Sequence, residues 1–175
     1  MAGPASSILF ETILSPSAWA ETERVMLEIS SEVEGTGFWV TSTAAINGTV
    51  QARDGRPFGM EKNAISPGGA NYAQEELAMI KALVGFEPTF EVSICAFCNR
   101  EIDHQILGEL TLYLAEKFGG VVDFGGQISP PLAPMNGKLW EIPYATAEGS
   151  QMTYSVADVT FMRHWLSDPN FSMVK

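Results

Sequence analysis

PTFEVSICAFCNREIDHQILGELTLYLAEKFGG, residues 88–120, contains the clearest helix pattern in the chain and the strand pattern that precedes it. Apolar and polar side chains alternate from Phe90 to Phe97, which is typical of a half-buried β-strand. From Glu101 onward apolar residues recur every three or four positions until Gly119-Gly120, which predicts an amphipathic helix with a glycine stop. A strand that leads directly into a helix is therefore predicted in the middle of the fold.

Working outward from residues 88–120, short strand patterns alternate with amphipathic helix patterns along the whole chain. Before that stretch, the predicted elements are a strand, an acidic helix, a hairpin turned at Asn47-Gly48, a third strand folded back at Asp54-Gly55, and a helix over residues 72–84. After it come strands at VVDFGGQI and KLWEIPY, a helix at SVADVTFMRHWL and a final FSMV strand. This order predicts one α+β domain over residues 1–175, with helices packed on a mixed or antiparallel sheet.

The order of these elements also fits an internal repeat. A split-βαβ (ferredoxin-like) plan can be followed twice, in halves 6–97 and 88–175 that share the strand beginning at Phe90. The segments LVGFEPTFEV and WLSDPNFSMV support the repeat, because each passes from a helix end through Pro-x-Phe into a strand. Two ferredoxin-like halves with a common central strand are therefore one expected form of the α+β fold.

The charge of the chain narrows the classes of partner. Twenty-one acidic and ten basic residues give a net charge of −11, which repels nucleic acid and anionic membranes. Residues 17–34 contain five acids and one base, Arg24, and are predicted to form an acidic helix face. Either this is an ordinary soluble surface, or it is a surface that meets a basic partner. The five acids are Glu21, Glu23, Glu28, Glu32 and Glu34.

The first residues have no basic segment before an apolar run, and no stretch reaches the length of a membrane span. A cytoplasmic protein is the expectation. In that reducing compartment Cys95 and Cys98 are expected to be free thiols.

Cys95, Cys98 and His104 raise the question of a metal or redox site. A structural zinc site needs four ligands, and a redox pair is expected at the start of a helix, whereas a strand runs almost through this pair. The simpler interpretation is a structural joint in which Asn99 caps the helix and Asp103 places negative charge in its first turn. His104 is expected to tie the helix start to a neighbouring strand, with a role as ligand or general base left as the alternative. No metal and no cofactor are predicted.

Other catalytic signals are weaker. The chain contains no phosphate-binding loop, nucleophile elbow, zinc-protease motif or dinucleotide-binding motif. In VVDFGG, the pair Gly125-Gly126 is expected to form a turn that needs positive φ, and Asp123 is expected to cap or salt-bridge nearby, with a functional carboxylate as the alternative. No catalytic residue is assigned on these grounds.

The second half of the chain resembles a bacterial family of uncharacterised proteins, which is encoded among polymorphic toxin and immunity genes. The resemblance covers residues 86–175 best. It is carried by Cys98-Asn99, Asp103-His104, Leu107, Leu110, Leu114, Gly119-Gly120, Asp123-Phe124-Gly125-Gly126, Trp165-Leu166, Pro169, Phe171 and Met173-Val174-Lys175.

This resemblance implies an immunity protein, a small acidic antitoxin that binds and neutralises a cognate toxin without catalysis. Immunity proteins usually vary where they contact the toxin, so Asn99, Asp103, His104 and Asp123 are expected to maintain the scaffold. The five acids of residues 17–34, with Trp39 and Tyr72 as aromatic anchors, are expected to bind a basic site on the toxin.

The alternative function is a small enzyme that reverses a toxin's modification or acts on a small molecule. Such an enzyme would bring His104, Asp103 and Asp123 together in one pocket. Burial of His104 in the core, with the acids exposed on a flat or convex face, would instead favour a binding protein.

Overall fold

The computed structural model describes residues 3–66, 71–129, 134–146 and 149–174. This part of the chain contains eight strands, four α-helices and a short 3-10 turn at Ala44–Ile46. In chain order the elements are β1 (Ala5–Phe10), α1 (Pro16–Ile29), β2 (Ser30–Glu34), β3 (Gly37–Ser42), β4 (Gln51–Ala64), α2 (Gln74–Val84), β5 (Phe90–Ala96), α3 (Glu101–Phe118), β6 (Val121–Asp123), β7 (Leu139–Ala145), β8 (Gln151–Ala157) and α4 (Val159–Trp165).

One sheet joins all eight strands in the order β2-β3-β4-β5-β1-β6-β8-β7. Every described strand pair is antiparallel. The predicted α+β class, with helices packed on an antiparallel sheet, is confirmed. The predicted strand and helix at residues 88–120 are β5 and α3, and β5 lies at the centre of the sheet between β4 and β1.

The split-βαβ plan appears in a different form from the predicted pair of ferredoxin-like halves. Since neighbouring strands are antiparallel, β5 and β6 run in the same direction on either side of β1, and α3 connects them. This is a split-βαβ unit, but the strand in its gap is β1, from the start of the chain. The two halves are therefore interleaved in one sheet and do not form separate ferredoxin-like units.

The sheet has a closed face and an open face. On the closed face, α1, α3 and α4 cover the even-numbered residues of β1, β4, β5 and β6 and form the main hydrophobic core. Burial of apolar side chains is the dominant favourable contribution to folding, so this face provides most of the stability. Its largest fully buried side chains include Trp165, Phe38, Phe58, Phe124, Ile8 and Ile94.

On the open face, α2 covers only one end of the sheet. Leu77 and Ile80 of α2 are buried in a second, smaller core with Leu9, Val121 and Ile142. Helix α2 begins with Glu75 and Glu76 in its first turn and ends at Gly85, which has a φ of 103°. The remaining part of the open face, over β4, β5 and β1, is lined by small and polar side chains and forms a groove.

The acidic helix ends earlier than predicted. Ser15 caps α1 by accepting a hydrogen bond from the Ala18 N–H, and the helix stops at Ile29 instead of running to residue 34. Residues 30–34 form β2, which pairs with β3 at the edge of the sheet. The pairing with β3 has overridden the helical spacing of the apolar residues, so Glu32 and Glu34 belong to an edge strand.

Two predicted turns are also different. Asn47 adopts the left-handed conformation, with a φ of 59°, but in a longer loop between β3 and β4 and not in a two-residue hairpin. The carboxylate of Glu109 on α3 holds this loop by accepting hydrogen bonds from the Thr43 hydroxyl and the Thr49 N–H. Asp54-Gly55 does not end a strand, because β4 continues through it, and the register with β3 shifts between Gln51 and Arg56.

Candidate functional site

The strand register places polar side chains in a row across the open face. Glu61 of β4 is opposite Ser93 of β5, Ser93 is opposite Ser7 of β1, and Ser7 is opposite Asp123 of β6. The Ser7 and Ser93 hydroxyl oxygens are 2.9 Å apart and hydrogen-bonded. Residues directly opposite on antiparallel strands have side chains on the same face, so this row is continuous across four strands.

The row forms the floor of an elongated groove, which we call the trough. Its two connected parts have volumes of about 390 Å³ and 310 Å³ and share Ser7, Ser93 and Gly125. At the apolar end, Gly59, Cys95 and Phe97 form the wall, and the Phe97 side chain is 55% exposed. The acidic end is lined by three carboxylates and three tyrosines: Glu76, Glu91, Asp123, Tyr72, Tyr144 and Tyr154.

Tyr72 connects two buried carboxylates at the acidic end. Its hydroxyl oxygen is 2.8 Å from Asp123 Oδ2 and 3.2 Å from Glu91 Oε2. A phenol has one proton, so Tyr72 cannot donate a full hydrogen bond to both carboxylates at the same time. Glu91 is 2% exposed and also accepts hydrogen bonds from the Asn63 and Asn71 side chains. Tyr72, Glu91 and Asp123 therefore form one hydrogen-bonded cluster, in which two carboxylates share one phenolic donor.

The electrostatics of the cluster raise the pKa values of Asp123 and Tyr72. Burial raises the pKa of Asp123 to about 6, although the Gly125 N–H and the Tyr72 hydroxyl, which donate to it, act in the opposite direction. Burial and the two neighbouring carboxylates also raise the pKa of Tyr72. Gly125, with a φ of 66°, provides the turn that brings its N–H to Asp123. The predicted positive φ at this glycine pair is confirmed for Gly125.

Tyr154 completes the acidic end. It is 6% exposed, and its hydroxyl oxygen has no hydrogen-bond partner of good geometry within the described ranges. The Asp123 and Glu76 carboxylates are close enough to raise its pKa further, although burial is the largest cause. The rings of Tyr144 and Tyr154 are 5.8 Å apart. The acidic end is thus a pocket with aromatic walls and buried negative groups.

Comparison with known proteins shows the family. A model of a family of unknown function, DUF6368, matches residues 2–175. The chain belongs to DUF6368. No curated protein and no solved structure matches it.

The five acids predicted to bind a partner lie at one side of this DUF6368 member. Glu21, Glu23 and Glu28 are on α1, whereas Glu32 and Glu34 are on the adjoining edge strand β2. Glu21 and Glu28 bind Arg24, and Glu21 lies 3.7 Å from Lys117. Glu23, Glu32 and Glu34 are exposed and appear in none of these ion pairs. We call the outer side of α1 together with β2 the acidic surface.

The two predicted aromatic anchors are not equivalent. Trp39 is half-buried on β3, opposite Pro57 of β4. Tyr72 is only 7% exposed and its hydroxyl is bonded within the Asp123 cluster, so the structure does not present it on the surface as a partner anchor. The segment just before α2 places Tyr72 inside the second core.

Asp103, His104 and Asp123 are not brought together in the DUF6368 fold. Asp103 has no exposed surface and forms a bidentate ion pair with Arg56, with both N···O distances 2.7 Å. Burial alone would raise the pKa of Asp103, but Arg56 and the Arg100 N–H more than offset this and lower it. Arg56 is on β4 among the closed-face residues, whereas Asp123 belongs to the trough on the open face. The arrangement required by the predicted enzyme alternative is absent.

The joint at the start of α3 differs in detail from its prediction. Asp103, and not Asn99, caps the helix by accepting a hydrogen bond from the Arg100 N–H. Asn99 Oδ1 lies 2.9 Å from His104 Nε2, and His104 Nδ1 accepts the Met173 N–H at 3.0 Å. Because Nδ1 is an acceptor, the ring proton is on Nε2 and donates to Asn99. His104 therefore ties the helix start to the C-terminal segment, which forms no strand in the described residues.

Cys95 and Cys98 are free and half-buried, in agreement with the prediction of free thiols. Burial raises the pKa of the Cys95 thiol, which makes it a poor nucleophile at neutral pH. Within residues 3–66, 71–129, 134–146 and 149–174, no group of three or more His, Cys, Asp or Glu side chains could hold a metal ion. None of the described helices is long and apolar enough to cross a membrane.

Sequence reasoning missed the trough. It placed Glu91 and Ser93 only on the polar side of one strand, and it gave Tyr72 the role of an aromatic anchor. Alternation in β1 and β5 does indicate one polar face, but only the pairing of β5 with both β4 and β1 aligns these residues. Residues 91–95 alternate between polar and apolar side chains, whereas a strand covered on both faces would be apolar at every position. This polar face was the available signal of a groove.

Proposed function

We propose that this protein is a non-catalytic binding protein that neutralises a cognate bacterial toxin by covering a basic site on it. The observation that carries the proposal is the acidic surface formed by α1 and β2. Its five glutamates are accompanied on those two elements by one basic residue, Arg24. Such a surface accelerates encounter with a basic site and repels nucleic acid and anionic membranes.

Two apolar side chains stand among the acids of this surface. Leu27 of α1 is 64% exposed and Val33 of β2 is 41% exposed. Exposed charges mainly increase the association rate and selectivity, while apolar anchors that become buried lengthen the lifetime of a complex. Leu27 follows Glu23 by one helical turn on α1, and Val33 lies between Glu32 and Glu34 in β2, so each of the two elements carries both kinds of group.

Binding is favoured over the enzymatic alternative because the candidate catalytic groups are already engaged elsewhere. Asp103 is paired with Arg56, and His104 is bonded to Asn99 and Met173. Neither contact leaves a general acid or base facing a shared pocket with Asp123. The scaffold role expected for these residues agrees with this geometry.

The test is co-purification of the tagged protein with the toxin-like protein encoded beside its gene, followed by titration of the complex against salt. We expect a stoichiometric complex whose affinity falls as salt rises, because exposed charge pairs are screened. The double variant Glu32→Lys/Glu34→Lys should weaken binding by about tenfold or more, since it reverses two charges in the patch.

The control variant is Glu11→Lys/Glu75→Lys, which changes the net charge by the same amount at exposed positions outside α1 and β2. It should remain within about threefold of the parent affinity at physiological salt, where distant exposed charges are screened. The proposal is overturned if no complex forms, or if protection of cells is abolished by His104→Ala in a folded variant while binding is unchanged. That last result would establish a chemical role for His104.

A further inference from the structure

We propose that the trough on the open face is a binding site for an organic cation, an alkylammonium or guanidinium group held at its acidic end with an apolar body lying along its floor. This site is separate from the acidic surface, and it would stand even if that surface bound no toxin. Four features of the trough favour such a ligand: its shape, its charge, the Tyr154 hydroxyl and the aromatic walls.

The shape favours a slender ligand with two different ends. The floor runs from Glu61 through Ser93 and Ser7 to Asp123, and the two small serines at its middle let a ligand lie close to the strands. Phe97 forms an exposed apolar wall beyond Gly59 and Cys95. A Cβ added to Gly59 would lie 3.0 Å from the Phe97 ring and 3.2 Å from Cys95 Sγ, which shows how narrow this end is.

The charge at the other end is negative and uncompensated. Asp123 and Glu91 are almost completely buried, and Glu76 is half-buried beside them. Of the described residues that line the trough, none is a lysine or an arginine. Buried carboxylates are normally paired with a cation, and Asp103 with Arg56 shows that pairing on the other face of the same sheet. A bound cation would supply the missing positive charge.

A second observation comes from Tyr154, whose hydroxyl lies near the Glu76 carboxylate. The Tyr154 side chain is only 6% exposed, and its hydroxyl at the acidic end lacks a partner of good geometry among the described residues. Buried polar groups are rarely left without a hydrogen bond, and such a group in a pocket marks a position where a ligand or water completes the set. A phenolic oxygen in this pocket can accept a hydrogen bond from a bound N–H donor.

The walls select a cation of organic type. The Tyr144 and Tyr154 rings are tilted by 57° with centroids 5.8 Å apart, and both line the acidic end. Ammonium and guanidinium groups are attracted to aromatic faces as well as to carboxylates. A divalent metal ion would need several oxygen ligands around one point, whereas here the Tyr72 hydroxyl stands between Asp123 and Glu91.

The same cationic group could come from a free amine or from a lysine or arginine side chain of a protein. The experiment therefore uses phenethylammonium as a free amine, and N-acetyl-arginine amide and N-acetyl-lysine amide as side-chain probes. The neutral control is 2-phenylethanol, which has the same ring and chain length as phenethylammonium without the charge. Each is titrated into the isotopically labelled full chain, and backbone amide shifts are followed by NMR.

We expect saturable shifts centred on Gly59, Ser93 and Gly125, with a Kd of about 1 mM, as ligands of this size allow. Stronger binding of phenethylammonium would identify a free amine as the source, and stronger binding of an acetylated amide would identify a protein side chain. The Asp123→Asn variant should weaken binding by about tenfold, because it removes one of the two fully buried carboxylates. Glu23→Gln, which changes the net charge equally on α1, should leave the Kd within about twofold.

Three results would overturn the proposal. They are the absence of saturable shifts with all three cations up to about 10 mM, equally tight binding of 2-phenylethanol, and shifts located on α1 instead of the trough. The map on the unmodified chain decides the question even if the Asp123→Asn variant is unstable. If the toxin complex forms normally while all probes fail, only the trough proposal is lost.

Discussion

The two faces of the central sheet are built from the same strands but from opposite types of residue. On the closed face, Ile8 of β1 and Ile94 of β5 are almost completely buried under three helices. Their chain neighbours Ser7 and Ser93 lie on the open face and line a groove. Since side chains alternate between faces, a strand can contribute one residue to stability and the next to a site. The closed face provides the core that stabilises the fold, and the open face provides the polar surface on which we propose that a ligand binds.

Buried carboxylates on the two faces also differ in the groups that they bind. On the closed face, the buried Asp103 carboxylate has a full ion pair with Arg56. On the open face, the buried Asp123 carboxylate shares a single phenolic proton with Glu91. Asp103 is on α3 and Asp123 is on β6, and their pKa values shift in opposite directions. The difference is that Asp103 is paired with a cation, whereas Asp123 accepts hydrogen bonds from two neutral donors, the Tyr72 hydroxyl and the Gly125 N–H.

The largest predicted effect compares neighbouring residues of β5. Ile94→Ala should lower the free energy of unfolding by about 3 kcal/mol, because it removes buried methyl groups and leaves a cavity. Ser93→Ala should cost less than about 1 kcal/mol, since it loses one partly buried hydrogen bond to Ser7. Urea unfolding of both variants measures the difference. Equal costs would contradict the assignment of stability to the closed face.

The second prediction concerns pH and Asp123. The pKa of Asp123 is raised from 3.8 to about 6 in the folded protein, so between these values the native state holds a proton that the unfolded chain has lost. This group's contribution therefore falls as pH rises through that range, and the full penalty is present above pH 6. Asp123→Asn removes this penalty and should raise stability at pH 7.5 by about 2 kcal/mol.

The structure also suggests how the amide introduced by Asp123→Asn would fit. The Tyr72 hydroxyl could turn to donate its proton to Glu91 while accepting from the new amide, which gives each group a partner. The measurement is the difference in unfolding free energy between the variant and the parent at pH 4 and at pH 7.5. Comparing the two proteins cancels the opposite contributions of Asp103 and Glu109, whose pKa values are lowered. A variant less stable than the parent at both values would contradict the prediction.

The smallest predicted effect is at the acidic surface. Leu27→Gln should change stability by less than about 0.5 kcal/mol, because the Leu27 side chain is 64% exposed and lies outside both cores. Thermal unfolding of the isolated chain is the measurement, and Met26→Gln, one residue away but 3% exposed, is the destabilised comparison. A loss above about 1 kcal/mol for Leu27→Gln would mean that the residue serves folding and not a partner.

Local patterns were sufficient for much of the fold. The alternation of residues 90–97 and the helical spacing of residues 101–118 predict β5 and α3, and burial of Ile94, Ile106 and Leu110 agrees with them. Such patterns succeed where one face is buried, because burial rewards the period of the element. The α+β class follows from the order of these elements.

The errors occurred where distant residues decide the outcome. Helical spacing suggested that α1 continues to residue 34, but pairing with β3 converts residues 30–34 into a strand. Asp54-Gly55 has the sequence of a turn, yet it lies inside β4, where the register with β3 shifts between Gln51 and Arg56. Asn99 is a good cap by type, but Asp103 reaches the Arg100 N–H and Asn99 bonds His104 instead.

The candidate site was harder to predict for the same reason. Tyr72 lies just before α2, 19 positions from Glu91 of β5 and 51 positions from Asp123 of β6. Their meeting depends on β1 entering the gap between β5 and β6, and no local pattern states that order. The acids of α1, which are close in sequence, could be recognised at once as a charged surface.

Strand β2 also affects the tendency of the chain to associate with copies of itself. It is the sheet's outermost strand beside β3, is five residues long, and has an irregular register between Ser30 and Val33. Glu32 and Glu34 add negative charge to this open edge. Short length, irregularity and charge all oppose edge-to-edge pairing of sheets, and two copies of β2 would bring like charges together. The strand that we propose meets a basic partner therefore also opposes aggregation of the protein with itself.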